Sequence, residues 1–162
     1  MTLERKICDA RSGPMKPNSR PRVSLNDGTQ QEYMGEEMKT APKILIVEDE
    51  WLIAEYYRIV IEHLGYEICG IATNAGDAVK LARAEHPAAV IMDVRLWGDR
   101  DGIDAAQEIC AIRQLPVIYV TASREPETSR RISADFPAEV LTKPVTQVHL
   151  EAALKKHCPL SE

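Results

Sequence analysis

From Lys43 onward, five short apolar runs alternate with five longer segments of helical period, and this alternation constrains the fold more than any other property of the chain. The runs are KILIV, EICGIA, AAVIMD, PVIYVT and AEVLT. Between them lie WLIAEYYRIVIEHL, NAGDAVKLARAEH, GIDAAQEICAIRQL and the more polar REPETSRRISADF, and VTQVHLEAALKKHC closes the series. Runs of four to six β-branched and apolar residues read as strands, and the segments with apolar residues three and four apart read as helices. Crossovers between parallel strands are right-handed, which puts helices on both faces of the sheet. Strands covered on both faces must be apolar nearly throughout, as these are. The pattern therefore predicts an α/β fold, a doubly wound parallel sheet of five strands with five helices. Asn74 with Asp77 three residues on, and Pro87 beyond, bound the second helix. Thr146 stands near the start of the fifth, whose last turn carries Lys155, Lys156 and His157, where positive charge suits the helix dipole.

Four of the strand-like runs end on residues able to do phosphate or metal chemistry: ILIVEDE on Glu48 and Asp49, VIMDVRL on Asp93, VIYVTAS on Thr121 and EVLTKPV on Lys143. In a parallel sheet all these ends lie along one edge, so residues far apart in sequence converge on one small site. Three carboxylates that close repel one another unless a cation sits among them or one is protonated. Mg²⁺ answers that need, since it takes one or two carboxylates and completes its shell with water and phosphate oxygens. An aspartate carboxylate can attack a phosphoryl group and hold it as an aspartyl phosphate, which is the role open to Asp93. The metal and the Lys143 ammonium would neutralise the transferred group, and the Thr121 hydroxyl would donate to a further phosphoryl oxygen. Singly, each residue has a bland reading: a turn aspartate, solvated acids before a helix, a surface lysine, a strand threonine. The four ends together favour the functional one.

The other bounds are looser. A formal net charge of −5 without a long basic stripe speaks against nucleic acid or an anionic membrane as the partner. No apolar run approaches the ~18 residues that a membrane span needs, and the N-terminus lacks the apolar core of a signal peptide. Cys8, Cys69, Cys110 and Cys158 show no metal or CxxC spacing, which fits reduced thiols of a cytoplasmic protein. Residues 1–41 are broken by Pro14, Pro17, Pro21, Gly13, Gly28 and Gly35 and are expected to be a disordered or linker extension. The domain is expected over 42–158, with a short tail at 159–162.

The motifs ILIVED, VIMDVRL, the Asp101–Gly102 pair, VIYVTA and LTKPV, taken as a set, resemble the receiver domain of two-component response regulators, from Lys43 to about Cys158. The resemblance implies a flavodoxin-like sheet of strand order 2-1-3-4-5. It also implies that Asp93 accepts phosphate from a phosphohistidine on a sensor histidine kinase or a histidine phosphotransfer protein. Asp49 would then be the direct acidic Mg²⁺ ligand, with Glu48 assisting partly through water and the Arg95 backbone carbonyl contributing. No output segment follows the fifth helix in this sequence, so the expectation is a single-domain regulator acting by phosphorylation-dependent partner binding or phosphorelay. The fourth helix (Arg124 to Phe136), fifth strand and fifth helix would form the face for a partner or homodimer. Family members often carry Tyr or Phe three residues before the lysine, where Val140 stands here. The segment between Asp93 and Gly102 is about one residue longer than in common members and carries Trp97, Asp99 and Arg100, with Trp97 either packing the loop or facing a partner. Arg95 and Ser123 occupy positions expected to tune hydrolysis. Two other readings are a phosphorylation-independent pseudo-receiver and an aspartate-nucleophile phosphatase, whose second Asp, two residues after the nucleophile, is replaced by Arg95. A nucleotide-binding Rossmann domain fails for want of a glycine-rich turn after the first strand.

Overall fold

The computed structural model describes residues 40–122, 125–134 and 138–160. Within them strands and helices alternate strictly: β1 (Lys43–Val47), α1 (Trp51–His63), β2 (Glu67–Ala72), α2 (Ala75–Glu85), β3 (Ala89–Asp93), α3 (Gly102–Ile112), β4 (Val117–Thr121), α4 (Pro126–Ala134), β5 (Glu139–Thr142) and α5 (Gln147–His157). The five strands form one parallel sheet of order β2-β1-β3-β4-β5, as the resemblance implied. Register brings the strand ends level: Val47 lies opposite Ala72 and Met92, Asp93 opposite Val120, and Thr121 opposite Thr142.

Successive strand side chains point to opposite faces, and two cores result. Leu45, Val47, Val90, Met92, Val117 and Tyr119 pack with the buried faces of α2 and α3 and with Ile132 of α4. Ile44, Ile46, Ile91, Ile118 and Val120 pack with Tyr57 and Ile61 of α1 and with Leu150 and Leu154 of α5. Burial on both faces holds for β1, β3 and β4 but not for the sheet edges. In β2 only Ala72 is buried, and β5 alternates between half-buried and exposed. An edge strand has one neighbour fewer, so its outer side chains stay accessible.

Three helix boundaries carry information. Asn74 caps α2 by accepting the Asp77 N–H at 2.9 Å, as its spacing predicts. Helix α3 stops at Ile112, three residues short of the apolar pattern. Arg113 turns extended (φ −154°, ψ 127°), and Pro116, one residue before β4, allows no helical continuation. Helix α4 opens on Pro126, a residue suited to the first helical position because its missing N–H would have no partner there. It runs to Ala134, and the expected limits Arg124 and Phe136 lie outside the described residues, as do residues 1–39 of the expected N-terminal extension. Cys69, Cys110 and Cys158 form no disulfide among the described residues, and Cys8 lies outside them.

Gly102 opens α3 against the end of β3. A Cβ built there would lie 1.9 Å from the Asp93 carbonyl oxygen and 2.9 Å from its carbon. Backbone on both sides cannot yield as a flexible side chain would. Gly102→Ala is therefore expected to destabilise the domain by about 2–3 kcal/mol. A urea midpoint moved by the equivalent of less than ~0.5 kcal/mol, the range of a neutral surface substitution, would contradict this packing.

Candidate functional site

The site lies where β1, β3, β4 and β5 end. The Glu48 N–H donates to the Ala72 carbonyl at 2.9 Å, carrying the ladder one residue past β1 and turning the Glu48 side chain into the interior, where it is fully buried. Asp49 follows, half-buried. Asp93 is the last residue of β3 and is buried, and the Arg95 N–H donates to its Oδ1 at 3.1 Å. Thr121 ends β4, also buried, and its carbonyl accepts the Lys143 N–H at 2.9 Å. That backbone bond fixes where Lys143 leaves β5. Its Nζ then donates to Asp93 Oδ2 at 2.7 Å and to Glu48 Oε2 at 2.9 Å.

Carboxylate oxygens of Glu48, Asp49 and Asp93 lie within 4.8 Å of one another. One ammonium therefore faces three carboxylates. Burial pushes the Glu48 carboxyl from its ordinary 4.5 up to about 7; the Asp93 charge adds to that shift and the Lys143 hydrogen bond opposes it. Burial alone would lower the Lys143 ammonium, but its bonds to Asp93 and Glu48 outweigh this and raise it. A buried acid cluster short of positive charge, with one member driven toward its neutral form, is a donor set that fits a hard divalent cation such as Mg²⁺.

Glu48 makes a pH signature. Between 4.5 and about 7 the folded state keeps a proton that the unfolded chain has already lost, so cation-free stability falls as pH rises through that window. At ~1.4 kcal/mol per unit the loss is about 3 kcal/mol. Urea midpoints in chelator should show this fall, and Glu48→Gln should flatten it. Parallel slopes in both proteins would contradict the Glu48 environment.

The structure thus brings together Glu48, Asp49, Asp93 and Lys143, with Thr121 on the neighbouring strand end. For Arg95 the engaged group is its backbone N–H, bonded to Asp93. Trp97 is 78% exposed and so does not pack the loop; it faces outward beside Asn74 and Gly76. Val140 is 44% exposed on β5. Ser123 lies outside the described residues. Two participants went unnoticed in the sequence. Tyr57 of α1 is buried, its hydroxyl pKa raised by burial and influenced by the charges of Lys143, Glu48 and Asp93. Its spacing from Ile53, Ala54 and Ile61 marks it only as a core position. Arg131 reaches the start of α3, a contact between distant segments that no local pattern signals. Beside the site, Leu52, Ile53 and Tyr56 of α1 and Pro144 and Val145 after β5 line an apolar groove with Lys143 among its walls. No helix among the described residues is long and apolar enough to cross a membrane.

Comparisons with known proteins point to one family. The family model described as "Response regulator receiver domain" matches residues 44–155. The phyllosphere-induced regulator PhyR of Methylorubrum extorquens is 32% identical over 117 residues, which cover 72% of this chain and 43% of that protein. The transcriptional regulatory protein PdtaR of Mycobacterium tuberculosis is 37% identical over 113 residues, covering 70% and 55%. The chain thus spans about half the length of these curated relatives. Among solved structures, the signal receiver domain of a modulated diguanylate cyclase from Desulfovibrio desulfuricans G20 superposes with a TM-score of 0.69 at 35% identity, covering 72% of this chain and 93% of that one. The receiver domain of PhyR from Erythrobacter litoralis gives 0.64 at 28% identity, covering 73% and 90%. With the family model matching most of its length and the strand order and acidic edge in place, this chain belongs to the response regulator receiver domains.

Proposed function

We propose that residues 42–158 form a phosphoacceptor unit in which Asp93 takes a phosphoryl group from a phosphohistidine, with Mg²⁺ bound, and that the chain signals through the resulting change in what it binds or passes the group onward. The observation that carries this reading is Lys143, bridging Asp93 at 2.7 Å and Glu48 at 2.9 Å beside a third carboxylate. Asp93 Oδ1 is held by the Arg95 N–H and Oδ2 by Lys143, so the nucleophile is oriented before a donor arrives. In the transfer, a carboxylate oxygen of Asp93 forms the new P–O bond, and the bond from phosphorus to the donor nitrogen breaks with its electron pair going to the imidazole. Lys143 stays protonated and offsets the negative charge that builds on the phosphoryl oxygens. Thr121 supplies a hydroxyl from the adjacent strand end. Glu48, Asp49 and Asp93, with the Arg95 carbonyl, would hold Mg²⁺, whose chemistry is to neutralise phosphoryl charge.

The donor is a sensor histidine kinase or a histidine phosphotransfer protein, which places the reaction in the cytoplasm. The apolar groove beside Lys143 gives such a partner a surface to rest on. The face made by α4, β5 and α5 is the one we assign to a downstream partner or a second copy. It has the half-exposed β5 edge and a helix, α4, with only Ile132 buried among its described residues. The chain is a signalling phosphoacceptor rather than a turnover enzyme. Arg95 stands where an aspartate-nucleophile phosphatase needs its second acid. A pseudo-receiver would have no use for the Lys143–Asp93–Glu48 bridge.

The test is incubation of the chain with acetyl phosphate and Mg²⁺ followed by intact mass measurement. Gain of one phosphoryl group, abolished by EDTA, is expected. No gain, or a gain indifferent to chelation, would overturn the reading.

A further inference from the structure

Arg131 of α4 reaches across to the start of α3. Its Nη1 donates to Asp101 Oδ2, and its Nη2 to Asp101 Oδ1 at 3.2 Å and to Asp104 Oδ1 at 3.0 Å. Both carboxylates are already committed to the α3 cap. Asp101 Oδ1 accepts the Ile103 and Asp104 N–H groups, each at 3.0 Å, and Asp104 Oδ2 accepts the Asp101 N–H at 3.1 Å. Lone surface ion pairs are worth little. This one is a planar fork onto two fixed, partly buried acceptors, the geometry in which a guanidinium binds most strongly. Ile132 is the one buried residue of α4 among those described, so the fork adds a polar anchor to a single apolar one.

The cap is in turn joined to the site. Asp101 precedes Gly102, whose N–H donates to the Val94 carbonyl at 2.9 Å and whose Cα leaves no room for a methyl group before the Asp93 carbonyl. The backbone at Asp93 and Val94 thus lies in direct contact with the residue that follows Asp101. At β5 there is no aromatic side chain to carry a signal, because Val140 is aliphatic and 44% exposed.

We propose that Arg131 is a positioning residue that latches α4 onto the α3 cap, and that a change at Asp93 loosens this latch through Gly102 and Asp101, so that the docked and released populations of α4 report the state of the site. The latch exists in the unmodified chain. Its link to phosphorylation rests on the function proposed above.

Amide hydrogen exchange over residues 126–134 in the full chain tests it, with α3 as internal reference. In Arg131→Gln without any ligand, α4 should exchange about tenfold faster than in the wild type, while α3 is unchanged. Beryllofluoride with Mg²⁺, a phosphoryl mimic, should speed α4 exchange severalfold in the wild type and add little in Arg131→Gln. Arg131→Lys, which keeps the charge but not the fork, should fall between. Asp104→Asn, which keeps the cap acceptor and removes one charge, should also fall between. Wild-type exchange of α4 in Arg131→Gln would overturn the latch, as would a full mimic response in that variant. Phosphoryl gain from acetyl phosphate, measured on the same samples, separates the two ideas. Normal gain with unaltered α4 exchange removes the latch alone. No gain in the wild type removes the Asp93 reading, and the unliganded Arg131→Gln comparison still decides the latch.

Discussion

Asp93→Asn is expected to abolish Mg²⁺-dependent phosphoryl gain while making the cation-free domain more stable. The amide cannot form an acyl phosphate, so the first effect is loss below detection and not a reduced rate. The second follows from the charge inventory. Glu48, Asp49 and Asp93 crowd three carboxyl groups around the one Lys143 ammonium, and replacing Asp93 by an amide removes one source of their mutual repulsion. The Asp93 charge is one of the causes that raise Glu48, so its removal lets Glu48 ionise more readily. Asparagine Oδ1 can still accept from Lys143 or from the Arg95 N–H, which preserves part of the geometry. A gain of about 1 kcal/mol is expected, in the manner of sites that trade stability for function. Urea denaturation in chelator checks it. A loss of stability above ~1 kcal/mol would mean that Asp93 is held for structure.

Lys143→Ala should act oppositely on stability and severely on rate. Removing the ammonium leaves Glu48 and Asp93, with side chains only 1% and 6% exposed, without their shared cation. Breaking a buried pair from one side costs about 3–5 kcal/mol. Protonation of Glu48 relieves part of that, so the deficit should be smaller near pH 5 than near pH 8, and Mg²⁺ should recover some of it at the higher pH. Phosphoryl gain from acetyl phosphate should slow about 10²–10³-fold, the usual effect of losing one preorganised group that stabilises developing charge. Time courses by intact mass check the rate. A slowing below tenfold would mean that Lys143 is a structural counter-ion and no more.

Much of this is legible in the sequence alone. Apolar run length and helical period defined all ten elements, because a sheet covered on both faces leaves no freedom in the sequence of its central strands. The edge strands were read as more buried than they are, since a sequence run does not say whether it has one neighbour or two. The four strand ends located the acidic edge because parallel topology alone makes them neighbours. What escaped were facts that live in packing. Tyr57 looks like any apolar helix position. The absence of space at Gly102 depends on how α3 abuts β3. The Arg131 fork joins residues 30 and 27 positions apart across two elements. The shortening of α3 shows the reverse: Pro116 stands in the sequence, but the apolar pattern continues to Leu115 and masks the earlier stop at Ile112.

The most direct measurement of the central claim locates the phosphoryl group itself. Borohydride reduces an aspartyl phosphate to the alcohol, so digestion and mass spectrometry after phosphorylation in Mg²⁺ identify the acceptor by residue. The expected result is a single reduced position, Asp93, absent when EDTA is added. Reduction at Asp49 or Glu48 instead, or phosphoryl gain that persists in Asp93→Asn, would contradict the assignment.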